Sequence, residues 1–298
     1  MIEAEGLCKS YKKVTALKDI SLKIGPGEIF GLIGPDGAGK TTLFRILTTL
    51  SLADSGTASV CGLDVVKDYR KIRAEIGYMP GHFALYQDLS VEENLQFYAT
   101  VFGTDVKSNY DNIKDIYCQL EAFHDRKAGA LSGGMKQKLA LCCALVHRPK
   151  VLFLDEPTTG VDAVSRKEFW AMLSRIREGG VCIFVSTPYM DEAALCDRIA
   201  MISEGRIIGG GTPQQIRDSF PDKLYAAKGE DIFGMLRVLR ATKGVKECNS
   251  FGSSCHITVA EGGPDAESLA KVLTQNGFAS CSVAPIEAGI EDCFMSLS

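Results

Sequence analysis

The 298-residue sequence lacks any apolar run of about 18 residues, the length a membrane-spanning helix needs. It also lacks a secretory signal peptide, in which a few basic residues precede an apolar run at the N-terminus. Basic residues are not in excess, because 33 Lys and Arg stand against 37 Asp and Glu, and this balance argues against a nucleic-acid partner. The 11 cysteines include no C-x-x-C pair, so we expect packed thiols and no thiolate-bound metal. These absences predict a cytoplasmic chain with reduced cysteines.

Short apolar runs alternate with helical patterns along most of the chain. Val151–Asp155 and Val181–Ser186 are continuous apolar runs, which are typical of buried parallel strands. Helical periodicity covers Val91–Phe102, Val106–Phe123 and Gly133–His147. We therefore predict an α/β fold with a mostly helical insertion.

The pattern of apolar and polar residues changes after about residue 222. Asp231–Lys243 and Asp265–Asn276 have helical spacing, whereas Cys255–Val259 and Ala279–Ala284 resemble strands. No catalytic motif is visible in this stretch. It is predicted to be a small α+β unit.

The pattern G-x-x-x-x-G-K-[ST] indicates a phosphate-binding loop. It follows an apolar strand and opens a helix, and its residues are Gly34, Pro35, Asp36, Gly37, Ala38, Gly39, Lys40 and Thr41, with Thr42 next in the chain. A glycine-rich turn lets backbone N–H groups point at phosphate oxygens. Lys40 is predicted to neutralise β- and γ-phosphate charge, and the Thr41 hydroxyl to bind Mg²⁺.

A pair of acids follows the apolar run Val151–Leu154. A carboxylate at the carboxyl end of a parallel strand lies where such sheets bind ligands. Asp155 is predicted to hold Mg²⁺, and Glu156 to polarise the water that attacks the γ-phosphate.

A second anion site is predicted where Leu131, Ser132, Gly133 and Gly134 precede an apolar helix that includes Gln137. Serine and glycines at a helix N-terminus present free backbone N–H groups. One phosphate group does not need two such cradles in one subunit, so the second is expected to face a neighbouring chain's nucleotide. A serine cap with a glycine turn is the structural alternative.

These three motifs, in this order, resemble the ATP-binding cassette (ABC) family over about residues 2–218. The resemblance implies a P-loop NTPase core with an antiparallel β subdomain, and ATP and Mg²⁺ as cofactors. It implies that Tyr11 stacks on adenine and that Asp162 lies in a loop reaching across a dimer. It also implies that the Leu131–Gln137 signature completes the partner's site. An ordinary strand-edge aromatic is the alternative for Tyr11.

The resemblance divides the chain into an ABC domain over 1–220, with its helical subdomain at about 82–147, and an accessory C-terminal domain over 221–298. The ending Ile290–Phe294 and the segment Val185–Ala193 are similar to drug-export and polysaccharide-export cassettes. This branch implies a motor subunit on the inner face of the cell membrane, with separate membrane-spanning permease subunits as partners. The resemblance places the docking surface at Phe83–Leu95, which includes Leu85 and Tyr86; packing of the helical insertion is the alternative.

Two positions depart from the family pattern. Glycine stands at 81, where the family usually has a glutamine that contacts Mg²⁺ and the attacking water, and proline stands at 188, where it usually has a histidine that contacts the γ-phosphate. Neither Gly81 nor Pro188 carries a polar side-chain atom. The chain has only four histidines; of these His82 is a possible substitute at 81, and Thr187 is a weak one at 188.

These departures favour a half-site that binds nucleotide, hydrolyses it weakly and completes a better site on a second ABC ATPase. A heterodimer is expected, and a homodimer stays open. The alternative is a regulatory or scaffold cassette that binds ATP with little or no hydrolysis. Ribosomal or DNA-repair cassettes are disfavoured, because neither a second cassette nor a coiled-coil insertion is visible.

Overall fold

The computed structural model describes all 298 residues, which group into two compact units, Met1–Pro213 and Gln214–Ser298. Each unit has its own sheet structure and its own buried core. None of the helices combines the length and apolar character needed to cross a bilayer.

The first unit contains ten strands and six α-helices. In chain order these are β1 (Ile2–Tyr11), β2 (Val14–Ile24), β3 (Ile29–Ile33), α1 (Lys40–Leu47), β4 (Ser55–Val60), β5 (Leu63–Asp64), α2 (Tyr69–Glu75), β6 (Ile76–Met79), α3 (Val91–Val101), α4 (Tyr110–Tyr117), α5 (Gly133–Leu145), β7 (Val151–Asp155), α6 (Ala163–Glu178), β8 (Cys182–Thr187), β9 (Arg198–Ser203) and β10 (Arg206–Gly211).

The central sheet has the strand order β10-β9-β3-β8-β7-β6. All neighbours in it are parallel except the hairpin of β9 and β10. Every residue of β3, β7 and β8 is buried, which is why these strands read as continuous apolar runs. A second, antiparallel sheet has the order β2-β1-β4-β5. The predicted α/β core with an antiparallel β subdomain is confirmed.

An aromatic cluster holds α1 against the central sheet. The ring of Phe44 lies 4.6 Å from that of Phe184 and 5.8 Å from that of Phe153, centroid to centroid. All three side chains are fully buried. Because α1 begins at Lys40, this packing also fixes where the glycine-rich loop before it ends.

The helical insertion differs from the prediction in one place. A single helix over Val106–Phe123 is wrong, because α4 covers only Tyr110–Tyr117 and a separate 3-10 turn covers Glu121–Phe123. The carboxylate of Asp105 accepts hydrogen bonds from the backbone N–H and the hydroxyl of Ser108. This local turn competes with helix at the start of the segment.

The second unit is an antiparallel sheet with helices. Its elements are α7 (Pro213–Asp218), which begins at the last residue of the first unit, β11 (Lys223–Lys228), α8 (Ile232–Arg240), β12 (Val245–Phe251), β13 (Ser254–Val259), α9 (Ala266–Gln275), β14 (Ser282–Pro285) and α10 (Ile290–Leu297). The strand order is β12-β13-β11-β14. Apolar residues of α8 and α9, including Leu239 and Leu269, form the core with the sheet. The last strand lies slightly later than the expected Ala279–Ala284.

Candidate functional site

The glycine-rich loop Gly34–Thr41 connects β3 to α1. Gly39 has φ 107°, and a Cβ there would lie 2.4 Å from the carbonyl oxygen of Ala16. A Cβ at Gly34 would lie 2.2 Å from the carbonyl oxygen of Ile202. Both positions therefore require glycine, because a side chain would collide with neighbouring backbone.

The side chain of Lys40 lies across this loop and is only 3% exposed. Its Nζ donates to the carbonyl oxygens of Gly34 (2.8 Å) and Pro35 (2.9 Å). The same Nζ lies 3.0 Å from Oε1 of Glu156. A buried ammonium group is thus held where the loop and the end of β7 meet.

A cleft of about 420 Å³ opens over the loop, and we call it the phosphate-loop cleft. Its lining residues are Val14, Thr15, Ala16, Lys18, Gly37, Gly39, Lys40, Thr41, Thr42, Glu156, Glu204 and Gly205. Gly34, Pro35, Asp36 and Ala38 belong to the loop but do not line the cleft. Tyr11 is not in the lining either; it ends β1 beside the turn that leads to Val14, with 42% of its surface exposed.

Asp155 ends β7 and is 1% exposed. Ser186, its register partner on β8, donates its hydroxyl to Oδ1 at 2.6 Å, whereas Oδ2 forms no hydrogen bond. Burial, and then the charge of Asp155, raises the pKa of Tyr78 to about 12. Thr41, which lines the cleft, offers a hydroxyl oxygen, and Asp155, at the end of β7, offers a carboxylate; oxygen ligands of this kind are the chemistry that Mg²⁺ prefers.

Position 81 lies directly against Asp155. A Cβ on Gly81 would be 3.1 Å from the carbonyl oxygen of Asp155 and 3.9 Å from its carboxyl carbon. Pro188 follows β8, and the hydroxyl of the preceding Thr187 donates to Glu192 at 2.6 Å. His82 lines a different cleft. Of the two predicted substitutes, His82 therefore lies in another cleft, and the hydroxyl of Thr187 is already bonded to Glu192.

The predicted signature starts α5. The hydroxyl of Ser132 accepts from the backbone N–H of Met135 at 3.3 Å and caps the helix. Ser132 and Gly133 are exposed, Gly134 and Leu131 are buried, and none of them lines the phosphate-loop cleft. A Cβ on Gly134 would lie 2.6 Å from the hydroxyl oxygen of Ser165 in α6.

Asp162 caps α6 next to this signature. Its Oδ1 accepts from the backbone N–H groups of Val164 (3.1 Å) and Ser165 (3.0 Å). Hydrogen bonds from Ser165 and Val164 hold the pKa of the Asp162 carboxyl below its ordinary value. The signature and the Asp162 loop thus form one surface, apart from the chain's own cleft.

A second cleft, of about 550 Å³, lies between α2, β6, α3 and α5, and we call it the apolar groove. Phe83, Leu85 and Gln137 line it, whereas Tyr86 does not and instead packs against Phe97 at 4.8 Å between ring centroids. Arg70 and Arg73 are in the lining and form no ion pair, and the lining contains no acidic residue.

Sequence reasoning missed four residues that line or adjoin these sites. Ser186, the partner of Asp155, is hidden in an apolar strand. Arg70 and Arg73 sit on the short helix α2, which has only Ile72 buried and therefore little periodicity. Glu192 is visible in the export-type segment, but only the structure shows it to be buried.

The chain is similar to known proteins in both sequence and fold. Residues 17–159 match the family model described as ABC transporter. The chain is 40% identical over 219 residues to the probable multidrug ABC transporter ATP-binding protein YbhF of Escherichia coli, covering 73% of this chain but 38% of that protein. It is 32% identical to the daunorubicin resistance ATP-binding protein DrrA2 of Streptomyces coeruleorubidus, covering 100% of this chain and 94% of that one.

A solved structure of the ATP-binding subunit of an ABC transporter superposes with a TM-score of 0.67 at 26% identity, and the match covers 74% of this chain and 93% of the other.

Proposed function

The chain belongs to the family of ABC transporter ATP-binding proteins, and from that premise we propose that it is the ATPase subunit of a membrane export complex. One observation carries the proposal. Lys40, Thr41 and Glu156 meet in the phosphate-loop cleft, while Ser132 and Gly133 lie exposed outside it. Such a half-site needs a second cassette to be complete.

In this proposal ATP occupies the phosphate-loop cleft. Backbone N–H groups of the Gly34–Thr41 loop bind the phosphates, Lys40 neutralises their charge, and Tyr11 supports the adenine. Mg²⁺, held by Thr41 and Asp155, would supply charge neutralisation between phosphate oxygens. Glu156 orients and deprotonates the attacking water.

Hydrolysis at this chain's own half-site is proposed to be weak. Gly81 places no amide beside Asp155, and Pro188 offers no imidazole beyond β8. Losing one preorganised contact to transition-state charge typically costs about 10²–10³ in rate. The two losses need not multiply, because they serve one constellation. Glu156 remains, so turnover is reduced and not abolished.

The signature residues Leu131, Ser132, Gly133, Gly134 and Gln137 are proposed to complete the nucleotide site of a second ABC ATPase, with Asp162 at the dimer contact. The proposed partner is a second cassette that has glutamine and histidine at the positions where this chain has Gly81 and Pro188, so the dimer is a heterodimer. Ser132→Arg tests it, because the bulk of the new side chain at the cap of α5 fills the space that a partner's nucleotide would occupy. ATPase activity of the complex should fall at least about tenfold while this chain's own ATP affinity stays unchanged; unaltered activity would count against the arrangement.

The apolar groove is proposed to receive a permease segment. Its lining combines Phe83, Leu85 and the exposed Val101 with Arg70 and Arg73, neither of which forms an ion pair. In this proposal the chain lies on the inner face of the cell membrane. Purification from detergent-solubilised membranes should yield a multi-span membrane protein together with the chain, and recovery with soluble partners alone would contradict the exporter proposal.

A regulatory or scaffold cassette is the second candidate. Gly81 and Pro188 favour it, because both departures affect hydrolysis more than binding. Nucleotide affinity and hydrolysis, measured separately in the assembled complex, distinguish the two. Tight binding with no turnover at either site of the complex favours the scaffold.

A further inference from the structure

Glu192, in the export-type segment Val185–Ala193, is a buried carboxylate outside the three nucleotide-site motifs. It is 2% exposed, and each of its oxygens accepts a hydroxyl hydrogen bond. Thr158 Oγ1 donates to Oε1 at 2.8 Å, and Thr187 Oγ1 donates to Oε2 at 2.6 Å. Nε of Arg166 lies 3.7 Å from Oε1. We call these four residues the Glu192 cluster.

The Glu192 cluster contains no unsatisfied group, which explains how a carboxylate can lie so deep. Thr158 and Thr187 are at most 1% exposed. Three segments therefore share one anchor: the loop after β7, the end of β8 and the first turns of α6. Such a fully paired buried network moves as a unit, because breaking any one bond leaves a desolvated partner.

On one side the cluster contacts the phosphate loop. The carbonyl oxygen of Thr187 accepts from the backbone N–H of Gly34 at 3.3 Å, at the first residue of that loop. The hydroxyl of the same Thr187 binds Glu192 and also accepts from the N–H of Tyr189 at 3.0 Å. A shift of the loop toward phosphate thus reaches Glu192 through a single residue.

On the other side the cluster contacts the segment that carries Asp162. The carbonyl oxygen of Thr158 accepts from the N–H of Val161 at 3.2 Å. The N–H of Arg166 donates to the carbonyl oxygen of Asp162 at 2.9 Å. Hydrogen bonds therefore run from Gly34 through Thr187, Glu192 and Thr158 to Val161, the chain neighbour of Asp162. The second branch, through Arg166, includes an ion-pair contact of 3.7 Å, and Pro188 contributes no side chain to either branch.

We propose that Glu192 is a positioning residue that transmits nucleotide binding at the Gly34–Thr41 loop to the 158–162 segment. The inference rests on the proposed nucleotide-driven function. In this proposal Thr187 and Glu192 connect the phosphate-loop cleft to the dimer surface. The connection does not require a polar side chain at position 188.

Hydrogen exchange on the purified full chain, with and without a non-hydrolysable ATP analogue and Mg²⁺, tests the proposal. In the wild type the analogue should slow exchange in both the Gly34–Thr41 loop and the 158–162 segment. Glu192→Gln keeps the side-chain shape and removes the charge. It should retain analogue affinity and loop protection but lose about fivefold or more of the protection at 158–162.

Asp191→Asn is the matched control. Asp191 is 68% exposed and pairs with Arg166 at 2.9 Å, but it lies outside the cluster, so 158–162 should stay protected. Thr158→Val, which removes one hydroxyl donor, should reproduce Glu192→Gln, and Thr158→Ser should restore protection. If Glu192→Gln does not fold, the two Thr158 variants test the proposal in its place.

Full protection of 158–162 in Glu192→Gln, or in Thr158→Val when that variant decides, overturns the proposal. The proposal is also overturned if the bound analogue leaves 158–162 unprotected in the wild type. It is overturned as well if the deciding variant loses analogue affinity and protection together, because that result indicates a structural role alone. A wild type that binds no analogue overturns the proposed function itself, together with this inference.

Discussion

Nζ of Lys40 lies 3.0 Å from Oε1 of Glu156, so the phosphate-loop lysine and the acid after β7 form an ion pair across the cleft. Glu156 adopts φ 51°, an uncommon backbone conformation for a residue other than glycine. Phosphate entering the cleft must compete with this carboxylate for the ammonium group. The pair therefore lowers the affinity of the site for anions.

Glu156→Gln should bind ATP more tightly while losing hydrolysis. Removing the carboxylate frees Lys40 for phosphate, and a partly exposed ion pair is worth up to about 1 kcal/mol, or roughly fivefold in affinity. Titration calorimetry with a non-hydrolysable analogue measures the change. Glu204→Gln, in the same cleft but without a contact to Lys40, is the control. Weaker binding by Glu156→Gln than by wild type would contradict this reading of the ion pair.

Gly39→Ala should destabilise the first unit more than Gly37→Ala does. Both glycines have positive φ, 107° and 79°, which costs alanine about 1–2 kcal/mol. Only Gly39 has a neighbour, the Ala16 carbonyl, within reach of a Cβ, and this overlap adds about 1–3 kcal/mol. Urea unfolding of the two variants gives the difference, and equal losses would be inconsistent with the close approach.

The buried parallel strands were predictable because burial on both faces leaves a continuous apolar run. The strands β11 and β12 were missed, and so were the helices α2 and α10. In β12 only Cys248 is buried, so the edge strand carries little pattern. β11 lies inside the sheet, and its four middle residues are all buried, so it shows no alternation either. Edge polarity in β12 and uniform burial in β11 both remove the period of two on which sequence reasoning depends.

We expect the free energy of unfolding to fall in mild acid because His147 is buried. Burial lowers its pKa below the ordinary value, its Nε2 bonds the carbonyl oxygen of Ile76, and its ring stacks on Phe102 at 3.6 Å. The unfolded chain binds the proton more readily, so this contribution is present above about pH 6.5 and is lost as pH falls below that value.

Denaturant unfolding at about pH 7.5 and about pH 5.5 measures the effect. The wild type should lose more stability between these values than His147→Gln does, while His124→Gln, at an exposed position, should behave as the wild type. An identical pH dependence in His147→Gln would rule out this role.

As with the fold, some features of the candidate site were predictable from the sequence and others were not. Local motifs predicted the glycine loop and the end of β7, because their chemistry depends on neighbours in sequence. The pairing of Lys40 with Glu156 and the hydrogen bonds of Thr187 to Glu192 and Gly34 depend on strands brought together by the sheet. No spacing in one sequence specifies those distances.

The proposal that this chain's own half-site hydrolyses ATP weakly is tested most directly by restoring the two side chains that positions 81 and 188 lack. Gly81→Gln and Pro188→His are combined, and ATPase activity is measured in the complex with the second cassette, whose own catalytic glutamate is replaced by glutamine. Turnover should rise by about 10²-fold while nucleotide affinity stays within about twofold. Rapid turnover by the unaltered chain, unchanged by the double substitution, would contradict the account.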